Sequence, residues 1–202
     1  MKTTLGNLFF KWRSYTLFIL TVIILPLLQV GCTSKYSYLQ DDPLNIKLYL
    51  DAKINNFSIR DKRKETTTRI LKIPFIGLPG RSDQIQPLLS PDHLNIIRSE
   101  FDSYFIGSEK TYNIDVRITE GVQKYEAAFF SEKEYVKFAL EVDLIEAASN
   151  TIAFNGYGEA YYEVKSMDAS NEFINKLYEK AIKTCIYEFC KKIKIKTIQN
   201  TI

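Results

Sequence analysis

From residue 46 onward, apolar and polar side chains change places at nearly every step. Ile46, Leu48, Leu50 and Ala52 alternate with Lys47, Tyr49, Asp51 and Lys53, which is the period of a half-buried strand. The period returns in Tyr112, Ile114, Val116 and Ile118, set against Asn113, Asp115, Arg117 and Thr119. Val136, Phe138, Leu140, Val142 and Leu144 repeat it against Lys137, Ala139, Glu141 and Asp143. Ile152, Phe154, Gly156, Gly158, Ala160, Tyr162 and Val164 do so against Asn155, Tyr157, Glu159, Tyr161 and Glu163. Ser149-Asn150 makes a turn between the last two strands. Residues 55–68 are polar, and the charge run 60–65 reads as a solvated turn. Residues 67–73 are a candidate second strand. Residues 73–80 are apolar but hold Pro74, Gly77, Pro79 and Gly80, so they cannot form a regular central strand. They are either an edge tucked into the core or an exposed apolar loop.

Two segments carry the helical period instead. Ser90-Pro91-Asp92 supplies a capping hydroxyl, a proline at the first helical position and an acid in the first turn. Leu94, Ile97, Phe101 and Tyr104, with Phe105 beside them, form one stripe, and Gly107 is placed to end the helix. A second helix is expected from residue 168 or 170 to about 194. Its apolar face is Phe173 or Ile174, then Leu177, Ala181, Cys185, Phe189 and Ile193. Lys191, Lys192 and Lys194 fall in its last turn, where cations favour the helix dipole.

The order is β(β)-α-β-β-β-α, an α+β chain. Strands with one apolar and one polar face imply a mostly antiparallel sheet covered on one side. Two amphipathic helices would cover it, giving a two-layer sandwich. Gly156, Gly158 and Ala160 share the buried face, and their small side chains point to the line along which the second helix crosses.

The opening of the chain has a different character. Lys2, Lys11 and Arg13 precede an apolar run over residues 15–28, and residues 1–31 contain no acid. That run suits an export signal better than the roughly 20 residues of a membrane span. Residues 1–31 are therefore expected to be a signal peptide, 32–45 a polar tether and 46–197 a single α+β domain. An uncleaved signal anchor and plain secretion remain the alternatives. The formal charge of +3 belongs entirely to the first 31 residues. The rest of the chain is about 170 residues long, the size of one domain. Its near-neutral balance argues against nucleic acid as a partner.

Catalytic signatures are sparse. His93 is the one histidine, and its helix-start setting suggests a solvent-exposed side chain. Cys185 and Cys190 point about 140° apart on a helix and read as half-buried thiols, without metal-site spacing. No nucleophile elbow, phosphate loop or dinucleotide fingerprint is present. No cofactor is implied. Asp115, Glu141, Asp143, Glu159 and Glu163 lie on the polar strand faces among Lys47, Arg117 and Lys137, an arrangement that reads as a solvated charged surface rather than an acid–base pair. Candidate contact surfaces are Pro74, Phe75, Ile76 and Leu78, then Phe129 and Phe130, then Tyr157 and Tyr161.

Leu28-Gln29-Val30-Gly31-Cys32 resembles the bacterial lipobox, with Gln29 where that family usually has leucine. The resemblance implies a diacylglyceryl thioether on Cys32 and cleavage before it. Thr33 is not the aspartate that marks inner-membrane retention in enterobacteria, so the resemblance points to the outer membrane, with inner-membrane anchoring as the alternative. Signal, tether and element order together resemble small outer-membrane lipoproteins with a helix-covered sheet, such as the lipopolysaccharide-assembly lipoproteins. That resemblance implies a non-enzymatic interaction or assembly module with an envelope protein as partner. The alternative is a carrier of a lipid or small apolar ligand held between sheet and helices near residues 74–78.

Overall fold

The computed structural model describes residues 48–74, 79–128, 131–166 and 170–199. The chain forms β1 (Leu50–Asp61), β2 (Ser82–Ile85), α1 (Pro91–Tyr104), β3 (Phe105–Ala128), β4 (Ser131–Glu146), β5 (Ile152–Ser166) and α2 (Asn171–Gln199). It is an α+β fold. One sheet runs β1-β3-β4-β5, and β2 pairs with β3 beyond the end of β1.

The sheet is mostly antiparallel, as the pattern implies, but not purely so: β1 makes it mixed. β3, β4 and β5 form an antiparallel meander, whereas β1 lies parallel to β3. A parallel neighbour needs a crossover, and the segment through β2 and α1 supplies it. One-sided alternation is the same for either direction, so the pattern showed which face is buried but not which way β1 runs.

β3 is far longer than residues 112–119. A bulge between Ile118 and Glu120 shifts its register against β4 and changes the parity of the buried side. Ile114, Val116 and Ile118 are buried before it; Gln123, Tyr125 and Ala127 are buried after it. β1 is also longer, running through the polar residues 55–61 that the sequence assigns to a turn. The second strand is 82–85 rather than 67–73. Within 67–73 only Thr67 makes an isolated bridge, to Pro87.

The start of α1 matches its sequence signature. The Ser90 hydroxyl accepts from the His93 backbone N–H at 3.2 Å, and His93 Nδ1 accepts from the Ser90 N–H at 3.3 Å, a reciprocal cap. That bond turns His93 inward, half-buried with its ring edge-on to Tyr178 at 5.4 Å, and not into solvent. Leu94 instead faces outward. The helix stops at Tyr104, before Gly107. Gly107 serves another purpose: a Cβ there would lie 2.7 Å from the Asp51 Cα, so only glycine lets β3 approach β1 this closely. Asp51 Oδ1 then accepts from the Ser108 N–H at 3.1 Å. Asn150, at φ 55°, makes the β4–β5 turn, a conformation that asparagine tolerates.

α2 lies against β4 and β5 and against α1, on the buried face of the sheet. Ile174, Leu177, Tyr178, Ala181, Cys185 and Phe189 are buried along it. So are Ile182, Ile186 and Cys190, a wider apolar face than one stripe because the helix meets both the sheet and α1. Cys185 and Cys190 are free thiols, fully buried rather than half-buried, and burial pushes both pKa values up. Among the described residues no helix is long and apolar enough to cross a membrane.

The helix crosses at Gly158. A Cβ on that residue would collide with the Cys185 carbonyl and sit 3.2 Å from both Cys185 Sγ and Phe189 Cβ. Gly158→Leu is expected to lower unfolding stability by about 1–3 kcal/mol through overpacking, read as a fall in the denaturant midpoint at unchanged slope.

Candidate functional site

With one face closed by helices, the other face of the sheet carries no helix among the described residues. Its side chains come from alternate positions of β1, β3, β4 and β5 and form three connected groups.

The first group centres on Arg117. Its Nη1 contacts Asp143 Oδ2 at 2.5 Å and its Nε contacts Glu141 Oε2 at 3.3 Å. Asp115 takes Arg60 as a partner and accepts from the Ser58 hydroxyl at 2.8 Å. Asn155 Nδ2 donates to Asp143 at 2.6 Å. The hydrogen bond from Arg117 holds the Asp143 carboxyl below the usual carboxylate range, against the upward push of burial. The second group centres on Lys137, whose Nζ lies 2.8 Å from both Glu120 Oε2 and Glu159 Oε1. These two bonds raise the ammonium pKa and leave the amine no tendency to act as a base.

The third group is aromatic. The Tyr135 and Tyr161 rings meet edge-on at 4.7 Å. The Tyr161 hydroxyl donates to Glu163 Oε2 at 2.7 Å, and Lys133 Nζ stands 3.3 Å from the same carboxylate. Hydrogen bonding to Glu163 pushes the Tyr161 pKa up to about 12. An open cleft of about 340 Å³ lies here, lined by Glu120, Val122, Lys124, Lys133, Tyr135 and Tyr161 among others. Beside it, Lys192 of α2 donates to the Tyr157 carbonyl at 2.8 Å while its Nζ sits 6.0 Å from the Tyr157 ring. That ring is on the open face and α2 is on the other, so Lys192 passes around the free edge of β5.

The candidate surface residues separate accordingly. Tyr157 and Tyr161 are exposed on the open face, 38% and 50% respectively. Tyr135 joins them, a residue that precedes the alternating run from 136 and so escapes a reading by pattern. Pro74 is half-buried. Phe75, Ile76, Leu78, Phe129, Phe130 and Cys32 lie outside the described residues. Among the described residues, no group of three or more His, Cys, Asp or Glu side chains is arranged to hold a metal ion.

A second polar constellation is buried. Arg63, inside the charge run that reads as solvated, has a side chain 0% exposed. Its guanidinium donates to both Asp61 carboxylate oxygens, at 2.9 and 2.6 Å, and to the carbonyls of Pro87 at 2.9 Å and Gly121 at 3.3 Å. Burial alone would lower its pKa, but Asp61 and the neighbouring Tyr178 hydroxyl together outweigh that and raise it. The planar fork reaches four acceptors at once, which a lysine cannot do. Arg63 thereby ties the end of β1 to β3 and to the segment before α1. Its role is architectural.

No family model matches the sequence, and no curated protein matches it. Two solved structures show a distant likeness to it. Protein XCC0632 from Xanthomonas campestris, assigned to family DUF330, has 13% identity and a TM-score of 0.44, with 79% of this chain and 92% of that chain covered. A hemagglutinin homolog from Helicobacter pylori, named as neuraminyllactose-binding, has 12% identity and a TM-score of 0.35, with 77% and 94% covered. Neither likeness is close enough to carry a function or a site residue across.

Arg63→Met is expected to cost about 2–3 kcal/mol in a denaturant titration, because two buried carbonyls and Asp61 lose their donor. Arg63→Lys should recover less than half of that. His93 adds a pH dependence. Burial lowers its pKa from the ordinary value, so the folded state favours the neutral ring. Its contribution is therefore complete above about pH 6.5 and is lost as pH falls through the lowered folded value. His93→Gln keeps a cap acceptor at this position and should flatten the stability profile just below about pH 6.5. Any slope that persists below about pH 4 belongs to Asp61 and the other paired carboxylates.

Proposed function

We propose that this chain is a lipid-anchored protein of the bacterial cell envelope whose folded part acts as a non-enzymatic interaction or assembly module. Acyl groups on Cys32 would hold it at the outer membrane, where two or three chains make attachment effectively permanent. The open face of the sheet would meet an envelope protein.

The observation that carries the module reading is the state of that face. Asp115, Glu141, Asp143, Glu159 and Glu163 each have a basic side chain within ion-pair distance. Asp115, Asp143, Glu159 and Glu163 have lowered pKa values, which makes them poor general acids and weak general bases at neutral pH. The face offers instead fixed polar groups, tyrosine rings and a shallow cleft, the ingredients of a protein-recognition surface. Direct contact of α2 with β5 at Gly158 leaves no room for a lipid along that line, which weighs against a carrier.

The anchor is tested by metabolic palmitate labelling and membrane fractionation. The native chain should carry label and sediment with membranes, and Cys32→Ala should lose both. Membrane retention of Cys32→Ala at normal mature mass would remove the proposed anchor. The module is tested in intact cells with a photo-crosslinking residue at Lys124, in the cleft, and at Lys183, on the helical side. An envelope protein captured reproducibly from Lys124 and not from Lys183 is the expected outcome; equal capture from both positions argues against a dedicated face.

A further inference from the structure

The first turn of α1 is closed by a side chain that can change its charge. The Ser90 N–H donates to His93 Nδ1 at 3.3 Å, and the His93 N–H donates back to the Ser90 hydroxyl at 3.2 Å. We propose that protonation of His93 releases the first turn of α1 and the segment before it, residues 86–94, while the sheet and α2 stay folded. The device lies among the helices, on the covered side of the sheet. It stands apart from the membrane anchor and from the partner of the open face.

The chemistry of the ring sets the direction. A nitrogen that accepts a hydrogen bond carries no proton, so the ring that closes this cap is neutral, with its proton on Nε2. An imidazolium donates from both nitrogens. Its Nδ1–H would point at the Ser90 N–H, donor against donor, and one half of the reciprocal cap is lost. The ring is half-buried, edge-on to Tyr178 of α2 at 5.4 Å. Three charged groups bear on it: Asp92 on its own helix, Glu179 on α2 and Arg63 from the stretch after β1. Burial is the largest influence and, with Arg63, opposes the charged ring; the two carboxylates favour it. Tyr178 stays neutral, because burial pushes its pKa up. Opening the turn returns the ring to water and to its ordinary proton affinity, so acid favours the open form.

Few other contacts hold this stretch. The Leu88 N–H donates to the Thr67 carbonyl and the Thr67 N–H to the Gln86 carbonyl, both at 2.9 Å. Arg63 reaches the Pro87 carbonyl at 2.9 Å. Leu88 and Leu94 are exposed, Leu89 and Ile96 are partly buried, and the first buried side chain of α1 is Ile97. A helix end with so little buried apolar surface opens at a lower cost than the whole fold, and its cap decides whether the first turn holds. Arg63 keeps Asp61 and the Gly121 carbonyl when Pro87 leaves, so β1 stays joined to β3. Asp61 takes no part in the release, because its bond to Arg63 holds the carboxyl below the usual carboxylate range. The release uncovers Tyr178 and the Arg63 guanidinium, both fully buried in the closed form.

The chain has one histidine, so the imidazole resonances of the folded full-length protein report the protonation of His93 directly. Amide hydrogen exchange is followed across that titration, corrected for the intrinsic effect of pH on exchange. Protection over residues 86–94 should fall several-fold as the ring takes its proton, while β3, β4, β5 and α2 keep theirs. His93→Gln puts a neutral acceptor where a capping box ordinarily carries one, so that variant should stay protected throughout the same range. His93→Ala has no acceptor and should exchange at the open level already at neutral pH. A ring that titrates without loss of protection over 86–94 would overturn the proposal, as would His93→Ala protected as well as the native chain. So would a loss that persists in His93→Gln, which places its cause in other groups, or a loss shared equally by the sheet, which is global acid unfolding.

Discussion

The approach of α2 to β5 decides how the rest of the molecule can be used. Gly158 lets the helix backbone come within contact of the strand, with Cys185 and Phe189 against it. At that separation the sheet and helices share one apolar layer, filled by side chains such as Ile114, Val116, Phe138, Val142, Ile174 and Phe189. Such interiors pack at crystal-like density and leave little room for a ligand. Among the described residues, the surfaces left over are the face of the sheet that no helix covers and the edge of β5 that no strand covers.

That outer face is polar without being electrostatically one-sided. Acid and base alternate across four strands, and most of the paired carboxylates are held by a neighbour on an adjacent strand, as with Arg117 beside Glu141 and Asp143. Exposed pairs of this kind add little to stability. Their effect is to fix the orientation of long side chains, so the tyrosines stand on a defined surface. A partner meeting such a surface finds shape and direction more than net attraction.

Much of this was legible in the chain, and the parts that were not have definite causes. β4, β5 and the body of α2 follow an uninterrupted period, and Ser90 marks the first turn of α1 as its chemistry requires. The second half of β3 was hidden because the bulge at Ile118 changes the parity of the pattern, so a true alternation looks broken. Arg63 was hidden by its surroundings: five charged neighbours imply solvent, and only the folded chain shows that β3 and the segment before α1 close over it. The direction of β1 leaves no mark on a one-sided pattern. Within the surface, Tyr157 and Tyr161 announce themselves as aromatics at polar positions. Lys192 does not, because its contact with Tyr157 spans 35 residues.

The parallel pairing of β1 also sets an order of assembly. Tyr125 and Glu132, which meet across the β3–β4 hairpin, are 7 residues apart, whereas Ser58 and Asp115, which meet across β1 and β3, are 57 apart. Closing the longer loop costs more chain entropy, and contacts that are distant in sequence form late. On chain entropy alone, the β3–β4–β5 meander is expected to form before β1 docks. Arg63, at the far end of that strand, is the clasp that closes after everything it touches is already in place.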